Sequence, residues 1–262
     1  MLGAIIGDIA GSLYEFGSHK SKEFPLFGAG CRPTDDSVMT IAVGCACAEA
    51  NCYDKEEFQE VLIDTMHRLG MQYPFAGYGD RFARWLENEE REPYGSKGNG
   101  SAMRVSPVAW AVDTLEDVRR LAKWSAEITH DHPEGIRGAQ AVAAAIFLAR
   151  TGASKAQIRD YIQANDYDLD FTLEQIRPAY RFDVTCDGSV PQAIMAFLEA
   201  DNFEDAIRNA ISLGGDGDTQ ACIAGAIAEA FYGIPESIRE QVFDYMDDTL
   251  QDYYMSYADL LY

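Results

Sequence analysis

The chain has 262 residues, of which 47% are hydrophobic and 24% are charged, and this composition excludes disorder as its main state. Lys and Arg number 21 against 43 Asp and Glu, so the formal net charge is −22. Such acidity disfavours nucleic-acid coating and adhesion to anionic membranes, and an anionic ligand would have to be held by local devices such as metal ions or backbone N–H groups.

The sequence predicts neither an export signal nor a disulfide framework. No basic region precedes Asp8, and no apolar run approaches the roughly 20 residues that a membrane span needs. The six cysteines include no C-x-x-C pair and show no regular spacing. We therefore expect a cytoplasmic protein without a membrane segment, in which the thiols are reduced and mostly buried. We also expect a monomer.

Apolar residues recur at helical spacing along almost the whole chain, whereas the alternation typical of strands is hard to find. In chain order, helices are predicted at residues 3–15, 42–50, 54–69, 81–90, 115–128, 133–150, 154–164, 189–199, 203–213 and 218–232, followed by a C-terminal segment that begins at Pro235. Pro133 suits a first helical position, and Ser154 precedes an amphipathic run. The sequence therefore predicts an all-α fold, with residues 1–262 forming a single domain.

Glycine and alanine are unusually frequent within these predicted helices. Gly3, Gly7 and Gly11 follow one another at intervals of four, and residues 221–228 are similarly small. Because glycine inside a helix costs roughly 0.5–1 kcal/mol relative to alanine, its repeated use predicts close helix crossings. The longest irregular stretch is expected at residues 91–101, where a functional loop is favoured over a hinge between two halves.

Two acidic clusters each stand directly before an apolar helical run. They are Thr34-Asp35-Asp36 with the following Ser37, and Gly214-Gly215-Asp216-Gly217-Asp218-Thr219. Helix capping explains either cluster alone, since Thr, Asp and Ser are preferred at helix starts, but the same oxygen donors suit a divalent cation such as Mg²⁺. If the two helices converge, four carboxylates and two hydroxyls meet, and cations must neutralise them. The duplication therefore favours a two-metal site over two caps.

Two further elements are weaker on their own. Glu15 lies at the end of the glycine stripe of the first predicted helix, where a solvated helix-end residue is the ordinary interpretation. The segment Gly98-Asn99-Gly100-Ser101 can be a simple turn, yet its glycines allow successive backbone N–H groups to form an anion-binding nest. Lys97 and Arg104 add positive charge beside this segment.

In combination, these segments resemble the ADP-ribosylglycohydrolase family, which includes dinitrogenase reductase-activating glycohydrolase and the ADP-ribosyl-acceptor hydrolases. The matching segments occur in the family's order and span residues 3 to about 233: Gly7-Asp8-Ile9-Ala10-Gly11-Ser12-Leu13-Tyr14-Glu15, Thr34-Asp35-Asp36-Ser37, Gly98-Asn99-Gly100-Ser101-Ala102-Met103-Arg104, Thr129-His130 and Gly214-Gly215-Asp216-Gly217-Asp218-Thr219. One position departs from the family pattern, since Gly217 stands where members commonly carry threonine. This departure bears on the stiffness of the loop more than on metal binding.

The resemblance implies a compact orthogonal bundle of many helices around a central cleft that contains two Mg²⁺ or Mn²⁺ ions. By position in the motifs, the implied metal ligands are Thr34, Asp35, Asp36, Asp216, Asp218 and Thr219. The implied catalytic residues are Glu15, Asp35 and Asp36, with Glu15 as general acid or base. The implied substrate-binding residues are Gly98, Asn99, Gly100, Ser101, Met103 and His130.

The activity that the resemblance implies is hydrolysis at the anomeric carbon of the distal ribose of ADP-ribose. The partner would be an ADP-ribosylated protein or an ADP-ribosylated small molecule. Metal ions that grip ribose hydroxyls and a water would provide orientation and activation. The pyrophosphate would rest on backbone N–H groups of the glycine-rich loop.

Two alternative functions stay open. His130-Asp131, with His67 upstream, suggests a metal-dependent phosphohydrolase of the His-Asp type, whose ligands include imidazole as well as carboxylate. The same cleft could also bind ADP-ribose or a nucleotide without turnover. The presence of all six expected ligands and of Glu15 argues against such a loss of activity.

Overall fold

The structure is a computed structural model that describes residues 1–88 and 90–261. These residues form an all-helical fold, as the sequence predicts, and no strand occurs among them beyond an isolated bridge between Gly98 and Thr185. In chain order the helices are α1 (Leu2–Gly11), α2 (Asp35–Glu49), α3 (Lys55–Gln72), α4 (Asp80–Glu87), α5 (Gly100–Met103), α6 (Val108–Ala111), α7 (Leu115–Glu127), α8 (Pro133–Arg150), α9 (Lys155–Asn165), α10 (Leu173–Ile176), α11 (Cys186–Leu198), α12 (Phe203–Ile211), α13 (Gly217–Tyr232), α14 (Glu236–Val242), a 3-10 turn (Phe243–Tyr245) and α15 (Asp248–Leu261).

Several helix boundaries follow local signals in the sequence. Pro133 begins α8, and the side chain of His132 accepts a hydrogen bond from the backbone N–H of Glu134. Ser154 and Gln157 form a capping box at the start of α9, in which each side chain bonds to the backbone of the other residue. The predicted helices at these places are confirmed.

The helix start predicted at the first acidic cluster is confirmed. α2 begins at Asp35, and Thr34 caps it by accepting a hydrogen bond from the backbone N–H of Asp36. α11 begins earlier than predicted, at Cys186 rather than at residue 189. Gly188 lowers the helical signal of its first turn. The first acidic cluster therefore lies within the first turn of α2.

The first helix is shorter than predicted. α1 ends at Gly11 rather than at residue 15, because the Ser12 hydroxyl donates to a carbonyl one turn earlier and accepts a backbone N–H of the returning chain. Glu15 therefore lies not on a helix but in an irregular segment, residues 12–34. This segment, and not residues 91–101, is the longest irregular stretch between helices of the described part.

The helices α1 and α13 cross with their backbones in direct contact. A Cβ atom built on Gly7 would lie 2.0 Å from the carbonyl oxygen of Ala221. Gly3 and Gly11 are equally confined, since a Cβ atom on either would lie 2.3 or 2.4 Å from backbone atoms of α13. The predicted close crossing is confirmed, and it holds the second acidic cluster, at the start of α13, against the end of α1.

The remaining predictions about the chain as a whole concern its thiols and its membrane segments. All six cysteines are buried, and none is in a disulfide, as the sequence predicts. Within residues 1–88 and 90–261, no helix combines the length and the hydropathy that crossing a bilayer requires.

Candidate active site

The starts of α2 and α13 lie side by side, which brings the two acidic clusters together. The hydroxyl of Thr219 donates a hydrogen bond of 3.3 Å to Oδ2 of Asp36, across 183 positions of sequence. Asp36, Asp216 and Asp218 are all buried here. The structure thus places in one site the two clusters that the sequence analysis found far apart in the chain.

A buried carboxylate that the sequence analysis did not select organises the start of α2. Asp8, on α1, is 0% exposed, and its oxygens accept four hydrogen bonds. The backbone N–H groups of Thr34 and Ser37 donate over 2.9 and 3.0 Å, and both side-chain hydroxyls donate as well. Burial raises the pKa of Asp8, and these donors oppose the rise. Asp8 therefore holds the residues that flank Asp35 and Asp36 on either side.

The start of α13 is arranged differently. Asp216 occupies the N-cap position, yet its side chain makes no capping hydrogen bond. Its Oδ2 instead accepts a hydrogen bond of 2.7 Å from the side-chain amide of Asn99. Asp218 accepts a hydrogen bond of 2.9 Å from the backbone N–H of Thr219. Helix capping therefore does not explain why Asp216 stands at this helix start.

The glycines of the second cluster admit the irregular segment 12–34. Gly214 has a φ angle of 62°, and a Cβ atom on it would lie 2.8 Å from the carbonyl oxygen of His19. At Gly217, where the sequence departs from the family pattern, a Cβ atom would lie 3.3 Å from the backbone of Tyr14. The absence of side chains at both positions lets the segment that carries Glu15 pack directly onto the cluster.

Burial and mutual repulsion raise the pKa values of the clustered carboxyl groups. Burial, followed by the charges of Asp8 and Asp216, raises the pKa of Asp35 to about 8. Burial and neighbouring carboxylates likewise hold the pKa values of Asp36 and Asp218 well above the usual range. In the described part of the chain, no Lys or Arg forms an ion pair with any of these groups. The site therefore lacks a protein cation that could balance its charge.

The donor set fits a divalent metal ion. Carboxylate oxygens of Asp8, Asp36 and Asp218 lie within 4.8 Å of one another. Oδ1 of Asp36 is buried and has no hydrogen-bond donor, and Asp35 lines an open cleft. Carboxylate oxygens are the ligands that Mg²⁺ and Mn²⁺ prefer, and a cation among them would offset the repulsion that raises the pKa values.

The cleft beside the cluster has a volume of about 540 Å³, within the range of small-molecule sites. Glu15 lines it, although Glu15 is not on a helix as predicted. Burial, followed by the charges of Asp216 and Asp8, raises the pKa of Glu15 to about 7, against the opposing effect of Arg32. A carboxyl group with such a pKa can give or accept a proton at neutral pH.

The glycine-rich loop contributes another part of the cleft wall. The lining residues from this loop are Gly98, Asn99, Gly100 and Met103. Ser101, which was expected at the ligand site, turns its hydroxyl away from the cleft and donates it to the carbonyl of Gly135 over 2.7 Å. Ser101 is fully buried and does not line the cleft, so its expected place at the ligand site is not observed.

The four backbone N–H groups of this loop divide into two pairs. That of Gly98 donates to a serine hydroxyl over 3.2 Å, and that of Asn99 donates to a backbone carbonyl over 2.7 Å. Within the described residues, the N–H groups of Gly100 and Ser101 have no acceptor. Because Ser101 is fully buried and Gly100 lines the cleft, the predicted anion-binding nest reduces to the N–H of Gly100.

His130 lies against this loop at the bottom of the cleft. A Cβ atom on Gly100 would lie 3.2 Å from its Nε2. Its Nδ1 lies 2.7 Å from the hydroxyl of Thr129, which accepts a hydrogen bond of 2.8 Å from Arg104. Burial, followed by the charges of Arg104 and Arg81, holds the pKa of His130 well below its usual value. The imidazole is therefore neutral at pH 7.

The residues of the His-Asp alternative do not form one site. His130 faces the cleft, whereas Asp131 faces a separate groove and accepts a hydrogen bond of 2.6 Å from the backbone of Gly95. His67 lines neither concavity. Among the described residues, the group with metal-binding spacing contains carboxylates and no imidazole.

Proteins of known family match the chain over most of its length. A family model described as ADP-ribosylglycohydrolase matches residues 1–262. ADP-ribosylhydrolase ARH3 of Mus musculus is 30% identical over 90% of this chain and 84% of its own length. ADP-ribosylarginine hydrolase Tri1 of Pseudomonas putida is 26% identical over 89% of this chain and 70% of its own length. A solved ADP-ribosylglycohydrolase-related protein complex has the same fold, with a TM-score of 0.68 at 22% identity and coverage of 97% and 95%.

Proposed function

Because the chain belongs to the ADP-ribosylglycohydrolase family, we propose that it releases ADP-ribose from a mono-ADP-ribosylated protein or small molecule in a metal-dependent reaction. Its relatives are named ADP-ribosylhydrolases, and the chain is a glycohydrolase enzyme. In the proposed reaction, water breaks the bond between the acceptor and the anomeric carbon of the distal ribose. The hydroxyl group goes to the sugar and the proton goes to the acceptor.

One observation carries this proposal. Carboxylate oxygens of Asp8, Asp36 and Asp218 lie within 4.8 Å of one another, and Asp36 and Asp218 line a cleft that Glu15 also lines. Glycosidic cleavage builds oxocarbenium character at the anomeric carbon, so it needs a fixed sugar, a positioned water and a nearby carboxylate. A carboxylate cluster beside a carboxyl group with a pKa near 7 meets these needs.

We assign two Mg²⁺ or Mn²⁺ ions to the cluster. The proposed ligands are Thr34, Asp35, Asp36, Asp216, Asp218 and Thr219. Bound there, the ions would supply Lewis-acid polarisation of a water and a grip on the ribose hydroxyls. Asp8 and Asn99 act as positioning residues, because Asp8 orients the start of α2 and Asn99 orients Asp216.

Glu15 is the proposed general acid or base. Its carboxyl group is half-buried in the cleft, and at neutral pH it is shared between protonated and ionised forms. It can therefore give a proton to the departing acceptor atom or take one from the attacking water. Asp35 also lines the cleft, and we assign it to the same reaction centre as a catalytic residue and a metal ligand.

The glycine-rich loop is the proposed site of the diphosphate. The N–H group of Gly100, which lines the cleft, is the backbone donor available to it, and His130 stands beside this group. Because the formal net charge of the chain is −22, local donors of this kind are needed to hold an anion.

A panel of arginine-linked, serine-linked and small-molecule-linked ADP-ribose substrates tests the proposal. Each is incubated with the protein and Mg²⁺ or Mn²⁺, and the products are identified by mass spectrometry. We expect intact ADP-ribose from at least one linkage, and that linkage identifies the acceptor class. Appearance of AMP and a phosphorylated ribose would show phosphoanhydride cleavage and contradict the proposal. Binding of ADP-ribose by calorimetry without turnover of any substrate would favour the binding-protein alternative.

A further inference from the structure

The cleft contains a buried arginine that no carboxylate neutralises. Arg104 is 1% exposed and is the largest side chain that is fully buried in the described part of the chain. Its Nη2 donates to the carbonyl of Ser125 over 3.1 Å and to the hydroxyl of Thr129 over 2.8 Å, while its Nε has no acceptor. All of its partners are thus electrically neutral.

The lack of a carboxylate partner for Arg104 is unusual in a chain with so many acidic residues. Arg119, for comparison, makes two bonds of 2.8 Å to the carboxylate of Asp166. Within residues 1–88 and 90–261, no acid makes an ion pair with Arg104. The ionisable groups whose charges oppose the lowering of its pKa are Tyr94 and Cys186, and both are neutral at pH 7. Burial lowers the pKa of Arg104 to about 10, so its guanidinium stays charged at neutral pH.

An unpaired buried charge is costly, because its hydration is lost and no opposite charge replaces it. Such a charge is explained most directly by a counter-ion that arrives with a ligand. Arg104 lines the cleft directly after the loop that carries Gly100 and Ser101. Among the described residues of that lining, Arg81 and Arg104 are the strongly basic ones, and Arg104 is the buried one.

We propose that Arg104 is the protein's built-in counter-charge for the diphosphate of ADP-ribose. This inference rests on the proposed function, which it deepens by assigning the charge that balances the ligand. The carboxylates of the metal site repel a diphosphate, whereas the guanidinium of Arg104 attracts it to the loop. The cleft thus has an acidic end for cations and the ribose, and a basic end for the phosphates.

Arg104 also acts on the loop through Thr129 and His130. The hydroxyl of Thr129 accepts a hydrogen bond from Arg104 and lies 2.7 Å from Nδ1 of His130, the atom to which we assign its hydrogen. This assignment from the hydrogen-bond network leaves the imidazole hydrogen on Nε2, the atom that faces Gly100. Arg104 therefore contributes a long-range positive charge and fixes a neutral donor at the same end of the cleft.

Two substitutions separate charge from structure. Arg104→Lys keeps the positive charge, whereas Arg104→Gln keeps a hydrogen-bond donor but removes the charge. Arg150→Gln is the matched control, because Arg150 also donates to a backbone carbonyl and has an unpartnered Nε, but does not line the cleft. The dissociation constants of ADP-ribose and of uncharged adenosine are measured by calorimetry and by NMR titration, with thermal unfolding followed in parallel.

We expect Arg104→Gln to weaken ADP-ribose binding by roughly 10- to 100-fold, as is typical for loss of a charge-assisted interaction. Its adenosine affinity should stay close to that of the unchanged protein, and thermal unfolding shows that the variant is folded under the conditions of the titration. Arg104→Lys should retain most of the ADP-ribose affinity, and Arg150→Gln should retain all of it.

Equal ADP-ribose affinity in the Gln and Lys variants would overturn the inference, as would an equal loss for adenosine. If Arg104→Gln does not fold, Arg104→Lys still decides, because loss of ADP-ribose affinity in a folded Lys variant would contradict a role based on charge. Failure of the unchanged protein to bind ADP-ribose would instead contradict the proposed function.

Discussion

The two helix starts that carry the acidic clusters have similar sequences and different supports. At α2, Thr34 caps the helix, and Asp8 accepts hydrogen bonds from residues on both sides of the acids. At α13, no side chain caps the helix, and Asn99 from the glycine-rich loop holds Asp216. The first cluster is thus fixed from the interior of the bundle, whereas the second is fixed by the loop that lines the cleft.

The two similar motifs are therefore not equivalent parts of the site. The α2 cluster depends on a residue of α1 that is sealed from solvent, so a bound ligand does not reach its support. The α13 cluster shares its support with the proposed diphosphate site, so ligand and metal affinities should be coupled through Asn99.

Activity should be lost completely when either cluster loses a cleft-facing acid. Asp35→Ala and Asp216→Ala should each abolish metal-dependent release of ADP-ribose, since each removes a proposed metal ligand. Circular dichroism should show unchanged helix content, and Asp244→Ala, at an exposed position, should remain active. Full activity in both variants, together with its loss in His67→Ala or Asp131→Ala, would favour the His-Asp phosphohydrolase.

Glu15 belongs to neither helix start. Its substitution should cause the next largest loss of activity. Glu15→Gln should lower the turnover number by roughly 10²- to 10⁴-fold, because it removes proton transfer while keeping the size of the side chain. The affinity of the Glu15→Gln variant for metal ions should change little, whereas the Asp35→Ala variant should no longer bind them. Glu240→Gln, at an exposed position on α14, serves as the control. An unchanged turnover number would remove Glu15 from the proposed mechanism.

Asp8 supports the α2 cluster and Asn99 supports the α13 cluster, and substitution of each residue compares the two supports directly. Asp8→Asn and Asn99→Ala should each weaken Mn²⁺ binding by roughly 10- to 100-fold, the usual effect of losing a residue that orients a metal ligand. Asp8→Asn should also lower the thermal midpoint, because an amide cannot accept four hydrogen bonds. Asn99→Ala should instead lower ADP-ribose affinity. Calorimetric titration and thermal unfolding report both effects, and identical behaviour of the two variants would contradict the asymmetry.

The packing of α13 on α1 can be perturbed without touching a carboxylate. Gly11→Ala should destabilise the fold by about 1–3 kcal/mol, because the new methyl group would meet the backbone at Asp218. Gly79→Ala should have little effect, since no atom lies within 4 Å of a Cβ atom at that position. Urea unfolding measures both variants. Equal stability of the two would show that the crossing relaxes easily.

A pH dependence of stability is expected in the metal-free protein. The pKa is raised from its usual value near 4 to about 8 for Asp35 and to about 7 for Glu15. Between these values the folded protein binds protons that the unfolded chain has released, so stability should fall as pH rises from about 4 to 8. Mg²⁺ should reverse the loss at pH 8. Thermal unfolding tests this, with Asp35→Asn expected to flatten the profile and Asp244→Asn to leave it unchanged.

The sequence predicted most of the helical architecture because its signals are local. Pro133 begins α8 where it was expected, since a proline favours the first turn of a helix. The end of α1 could not be predicted in the same way. The hydroxyl of Ser12 is bonded by a backbone N–H that comes from Arg32, 20 residues later. The position of Glu15 outside the helix therefore depends on a contact between distant parts of the chain, and the local sequence does not predict it.

The residues missed in the site are those whose partners are distant in sequence. Asp8 interrupts an otherwise apolar helix, which was the available signal, but its donors lie 26 and 29 residues away. Arg104 is visible as a charge beside the loop, yet its burial and its lack of a carboxylate partner depend on the packing of several helices. Sequence patterns identify the acids that cluster, whereas the groups that position or balance them emerge only in three dimensions.

The contact between α1 and α13 limits how far the acids on these two helices can move relative to one another. Asp8 lies on α1 and Asp218 lies in the first turn of α13, and the two backbones touch on either side of these acids. An interface made of side chains can adapt by changing rotamers, but a backbone-to-backbone contact has no such freedom. The spacing of these carboxylates is therefore preorganised before any ion binds. An ion can enter from the open cleft that Asp36 and Asp218 line, while these helices stay in place.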